Sequence, residues 1–130
     1  MRTKDSSAIS VRLRFTDQAR LGPGKMALLE AVQRTGSIEA AGRELNMSYR
    51  RAWLLIDSVN AMFEEPAVQI AAGAGPDGDS ALTPLGNALI AAYRATEADT
   101  QRAVAQHFAQ LLPRLREVPA EPLAPPAGKP

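Results

Sequence analysis

The sequence has no cysteine, which excludes disulfides and thiolate metal sites. It has one histidine and only six aromatic residues, one of them tryptophan. It has no apolar run of about 18 residues, so no transmembrane helix is expected. No apolar stretch follows the basic residues of the first segment, M-R-T-K-D-S-S, so no signal peptide is expected. A cytoplasmic, single-domain protein of 130 residues fits these absences. Strong net charge is also lacking, at +1 overall. That charge is uneven, however. Residues 1–25 hold Arg2, Lys4, Arg12, Arg14, Arg20 and Lys25 against Asp5 and Asp17. A local basic face is enough to release counterions from a nucleic acid, whatever the total charge.

Catalytic chemistry has little support. The lone His107 falls on an expected helix with no carboxylate pair around it and reads as a surface or interface residue. Glu64 and Glu65 read as a solvated helix end. Residues 73–78, G-A-G-P-D-G, fit G-x-G-x-x-G. That motif, though, requires a strand before it and a helix directly after. Here a proline and a second short strand follow, so the segment reads as a hairpin tip. No enzyme activity, no metal and no cofactor are expected.

The segment that carries function is residues 36–59, beginning G-S-I-E-A-A-G-R-E-L-N-M-S-Y-R-R-A-W. Ser37 is a good N-cap, with Glu39 suited to the first-turn dipole. Ile38, Ala41 and Leu45 share one face. Asn46 and Met47 form a corner, where Asn46 tolerates the left-handed conformation. Ser48 caps a second helix whose buried face is Ala52, Ile56, Val59 and Phe63. At 100° per residue, Arg50 lies opposite that face, Tyr49 and Trp53 fall on one flank and Arg51 on the other, and Leu54 points outward. A recognition helix presents its N-terminal residues to the major groove, where arginine can pair with guanine or hold phosphate. The candidate DNA-contacting residues are therefore Ser37, Ser48, Tyr49, Arg50, Arg51 and Trp53. Arg50 is assigned to a base edge and Ser48 to a phosphate.

The remaining elements fall in winged-helix order. Residues 8–15, A-I-S-V-R-L-R-F, alternate as a half-buried strand. Pro23 and Gly24 punctuate, and residues 25–35 form a helix stopped by Gly36. Short strands are expected over residues 67–71 and 80–83, with a Gly-rich loop between them. Thr83-Pro84 is a helix start, and the helix should run to residue 112. Its stripe of Leu85, Leu89, Ala92, Tyr93, Thr96, Thr100, Val104, Phe108 and Leu111 exceeds what the chain can cover, which points to a homodimer. Residues 113–130 contain six prolines and are expected to be a disordered tail.

The chain resembles the winged helix-turn-helix of LysR-type regulators at Gly36, Ser37, Ile38, Ala41, Leu45, Met47, Ser48, Ala52, Ile56 and Val59. It is more closely similar to the N-terminal DNA-binding domain of the ModE family of molybdate-responsive repressors. That likeness lies in residues 28–41, in M-S-Y-R-R-A-W (47–53) and in A-L-T-P-L-G (81–86), and spans roughly residues 11–112. The resemblance implies a mainly α fold with a small β wing: a winged helix-turn-helix over residues 1–112 with a long C-terminal dimerisation helix over 84–112. It also implies a transcriptional regulator that binds inverted-repeat double-stranded DNA as a dimer. Two departures stand out. The C-terminal oxyanion-binding domains would follow where this sequence stops, so a stand-alone domain is expected and no residue matches the molybdate pocket. The wing, G-A-G-P-D-G-D-S over residues 73–80, carries Asp77 and Asp79, which would repel phosphate. The competing readings are a protein that heterodimerises with a full-length regulator and a sensor that binds an oxyanion between subunits.

Overall fold

The computed structural model describes residues 9–71, 80–117 and 121–122. Among them are four α-helices and two small antiparallel sheets, a mainly helical arrangement consistent with a winged helix. The central element is α1, Pro23–Thr35. Met26, Leu28, Leu29, Ala31 and Val32 on it are fully buried. Pro23 and Gly24, expected to separate elements, are its first two residues. Proline is preorganised for the first helical position, where its missing N–H costs nothing. Gly36 closes the helix in the left-handed region at φ 76°, with its N–H on the Val32 carbonyl. Its own carbonyl accepts from Ser80 N at 2.8 Å.

Helices α2 (Ile38–Glu44) and α3 (Tyr49–Asn60) follow. Together with α1 they bury Ile38, Ala41, Ala52, Ile56 and Val59 in one core. Of the face expected for α3, Phe63 lies beyond the helix end and is only half-buried.

The expected N-terminal strand is much shorter than its alternation suggested. Only Leu13–Arg14 (β1) is extended and paired, and its partner Arg20–Leu21 (β2) was not anticipated. Ala8 lies outside the described residues. The hairpin tip is closed by the Thr16 hydroxyl, which accepts from Gln18 N at 3.2 Å and Ala19 N at 3.0 Å. Strands β3 (Val68–Ile70) and β4 (Ser80–Leu82) pair in the register Val68↔Leu82 and Ile70↔Ser80. The expected Gly-rich loop, with Asp77 and Asp79, lies outside the described residues except for Ser80.

Helix α4 spans Pro84–His107, with the Thr83 hydroxyl accepting from Gly86 N as N-cap. At 1.5 Å per residue it is about 36 Å long. Its first half is anchored. Tyr93 is buried and its hydroxyl donates to the Val11 carbonyl at 2.5 Å. Arg94 donates to Glu30 of α1 at 2.9 and 2.5 Å and to Glu97 at 2.5 Å. Among the described residues of α4, none after Tyr93 is buried. The helix also ends five residues before the expected position 112. Phe108 caps it, and Leu112–Arg114 continues as a 3-10 turn. Pro113 has no N–H to continue the α ladder, and around it Leu111, Arg114 and Leu115 bond three residues back, to the Phe108, Leu111 and Leu112 carbonyls. Pro113 thus lies inside this turn rather than opening a structureless tail. Of the rest of the expected tail, residues 118–120 and 123–130 lie outside the described residues.

Candidate nucleic-acid interface

Two serine caps and one tight corner set the geometry of α2 and α3. The Ser37 hydroxyl accepts from Ala40 N at 3.0 Å, and that of Ser48 from Arg51 N at 3.1 Å. Between them the chain reverses in four residues. Asn46 sits in the left-handed region at φ 59°. Met47 N and Leu45 N donate to the Gly42 carbonyl at 2.8 and 3.0 Å, satisfying the end of α2. The helices touch where Gly42 faces Ala52. A Cβ at Gly42 would stand 3.1 Å from the Ala52 Cβ and 3.2 Å from the Met47 carbonyl oxygen. A larger residue there would force α3 away from α2.

The far end of α3 is fixed as firmly. The Asn60 side-chain oxygen accepts from Ala67 N and Val68 N at 2.8 and 3.0 Å, and its amide donates to the Val68 carbonyl at 3.0 Å. The outward face is therefore held at both ends.

Tyr49, Trp53 and Leu54 are 36%, 38% and 50% exposed, and with Arg50 they line a shallow pocket of about 410 Å³. Large apolar side chains held open on a rigid helix mark a contact surface. Arg50 and Arg51 are exposed beside them. Ser37 is different: it is 8% exposed and its hydroxyl is committed to the cap. It stands apart from the other five candidate residues and supports α2 from beneath. Asp57, two turns along α3, is exposed and would repel an anion at that end.

The basic residues before position 25 were legible in the sequence, but not their place beside α3. A groove of about 570 Å³ runs between the β1–β2 hairpin and the start of α3, bordered by Arg12, Arg14, Arg20, Lys25 and Arg51. Lys25 and Arg51 also border a second depression of about 440 Å³ with Ser48 and Arg50, so the basic surface is continuous. Lys25 donates to the Arg20 carbonyl at 2.8 Å. Burial first, and then the nearby Arg20 charge, hold its ammonium below the ordinary lysine pKa. The excess of basic residues before position 25 was a signal for this surface. Its missing piece was the Arg20–Leu21 strand, which folds that charge toward α3. Among the described residues, no three of His, Cys, Asp and Glu come together as a metal site, and no helix is long and apolar enough to cross a membrane.

No protein-family model matches the chain. Individual relatives do. The molybdenum-pterin-binding protein MopB of Rhodobacter capsulatus is 48% identical over 80 residues, which are 62% of this chain and 30% of MopB. The molybdenum transport protein ModE of Azotobacter vinelandii is 39% identical over 98 residues, 75% of this chain and 35% of that protein. The DNA-binding transcriptional dual regulator ModE of Escherichia coli K12 is 29% identical over 85 residues, 65% of this chain and 32% of that protein. The chain thus spans about a third of the length of the relatives it matches. Over roughly two thirds of its own length, it is similar to ModE regulators and to the Mop molybdenum-pterin-binding proteins.

Proposed function

We propose that this chain is the DNA-reading part of a ModE-like transcriptional regulator: a winged helix-turn-helix that binds an inverted-repeat duplex as a dimer. The observation that carries the reading is the outward face of α3. Its first turns present Arg50, Arg51, Tyr49 and Trp53 to solvent on a helix locked to α2 by the Gly42–Ala52 contact. Such a helix can enter a major groove with its N-terminus leading. Arg50 reaches a base edge. Tyr49 and Trp53 supply apolar contact with thymine methyls, and Ser48, at the α3 N-terminus, approaches a phosphate. The similarity to the DNA-binding transcriptional dual regulator ModE of Escherichia coli supports the same assignment.

The test is fluorescence anisotropy with a ModE-type inverted-repeat duplex and a scrambled one. The protein is expected to prefer the repeat. Arg50→Ala should lose about 1–3 kcal/mol on the repeat and narrow the difference between the duplexes. Equal, weak binding to both duplexes would overturn the reading.

A further inference from the structure

We propose that the β1–β2 hairpin is a second DNA-contacting element, whose Arg12, Arg14 and Arg20, with Lys25 and Arg51 across the groove, hold the sugar-phosphate backbone of double-stranded DNA beside the segment that α3 reads. The inference rests on the regulator reading above and adds to it a contact surface outside α2 and α3.

Three observations carry it. The first is register. Arg14 and Arg20 are direct cross-strand partners, and like charges at such a pair repel and weaken a hairpin. Arg12 directly precedes β1 and borders the same groove, so three exposed arginines gather at a two-residue ladder. Asp17 lies 3.4 Å from Arg14, but both side chains are well exposed, and an exposed pair of this kind does little.

The second observation is where the counter-charges are. Arg34, Arg43, Arg94 and Arg102, on α1, α2 and α4, each have a carboxylate within salt-bridge distance. Among the described residues, Arg12, Arg20, Arg50 and Arg51 have none. Arg114 and Arg116, past the end of α4, are also without one, but the unpaired arginines of the folded core all lie beside α3. The third is continuity: Lys25 and Arg51 border both the hairpin groove and the depression beside Ser48 and Arg50. A duplex lying on α3 would carry its backbone across the groove without leaving the basic surface. A polyanion with regularly spaced charges fits an open, extended row of cations better than a single small anion does.

The experiment compares the full chain, the triple variant Arg12→Ala/Arg14→Ala/Arg20→Ala, the corresponding triple lysine variant and Arg50→Ala. Each is titrated with the inverted-repeat and scrambled duplexes between 50 and 200 mM salt. The alanine triple variant should bind both duplexes more weakly by the same factor, on the order of tenfold or more, and its log Kd–log salt slope should be shallower by about 2–3. Its ratio of repeat to scrambled affinity should stay at the wild-type value, whereas Arg50→Ala lowers that ratio. The lysine triple variant, which keeps the charges, should keep the wild-type slope. Because the three arginines are exposed and two of them repel across the strands, thermal melting should not fall. Wild-type binding with an unaltered slope in the alanine variant, or an equal loss in the lysine variant, overturns this inference and leaves the regulator reading standing. Absence of duplex binding by the wild-type chain overturns both.

Discussion

Tyr93 shows how much one side chain can decide. Its ring is buried in the core and its hydroxyl reaches the Val11 carbonyl, 82 residues away in sequence. Burial, helped by Glu97, raises its phenol pKa, so it remains a donor across the ordinary range. Tyr93→Phe keeps the ring and leaves a nearly buried carbonyl without its partner. The expected cost is about 1–3 kcal/mol in denaturant unfolding, with helix content retained. At this scale the sequence was legible wherever the physics is local. Ser37, Ser48 and Thr83 all cap as their positions suggested, because a cap needs only the next three residues. Asn46 adopts the left-handed corner for the same reason. The burial of Ser37 was not legible, since it depends on what packs around the cap rather than on the cap itself.

Whole elements divide along the same line. The helices and the β3–β4 pair could be read because each carries its own periodicity or turn signal. The β1–β2 pair could be read only in part: β1 lies within the alternating stretch 8–15, but Arg20–Leu21 has no alternation of its own and is defined only by its partner. Contacts between elements were equally hidden. The Arg94 link from α4 to Glu30 on α1 is an example. Its hydrogen bonds, more than its charge, hold the Glu30 carboxyl below its ordinary pKa despite some opposing desolvation. A carboxylate whose pKa is lower when folded stabilises the protein above its unfolded pKa and loses that contribution as pH falls through the folded value. Stability should therefore decline as the medium is acidified through and below the carboxylate range. Glu30→Gln should remove part of that decline in pH-dependent melting. Arg94 is 42% exposed, so solvent screens the pair and its share is about 1 kcal/mol or less.

Across the whole molecule, the proposed reading surface and the far end of α4 are separate. Phe108, Leu111, Leu112 and Leu115 are exposed around the helix end, on the part of the chain past the Arg94 anchor. A second copy of the chain is the expected partner for that tip, since apolar surface left open this way favours a two-fold contact. Wild-type protein should sediment as a dimer, and Phe108→Glu should shift it toward monomer while leaving thermal melting of the helical core in place. Unchanged dimer mass in that variant would move the interface elsewhere.

In the proposed dimer, α4 would be fixed at one end and joined to its twin at the other, a clock as well as a rod. Each residue of α4 advances the tip by about 1.5 Å and turns it by about 100°. One residue inserted between Arg94 and Phe108 would leave every side chain intact yet swing the joining face a quarter-turn or more out of phase with α3. Seven residues, close to two full turns, would bring the phase back at a greater reach. On the proposed function, the spacing of half-sites that two such chains would read is then written in the length of a segment that touches no base.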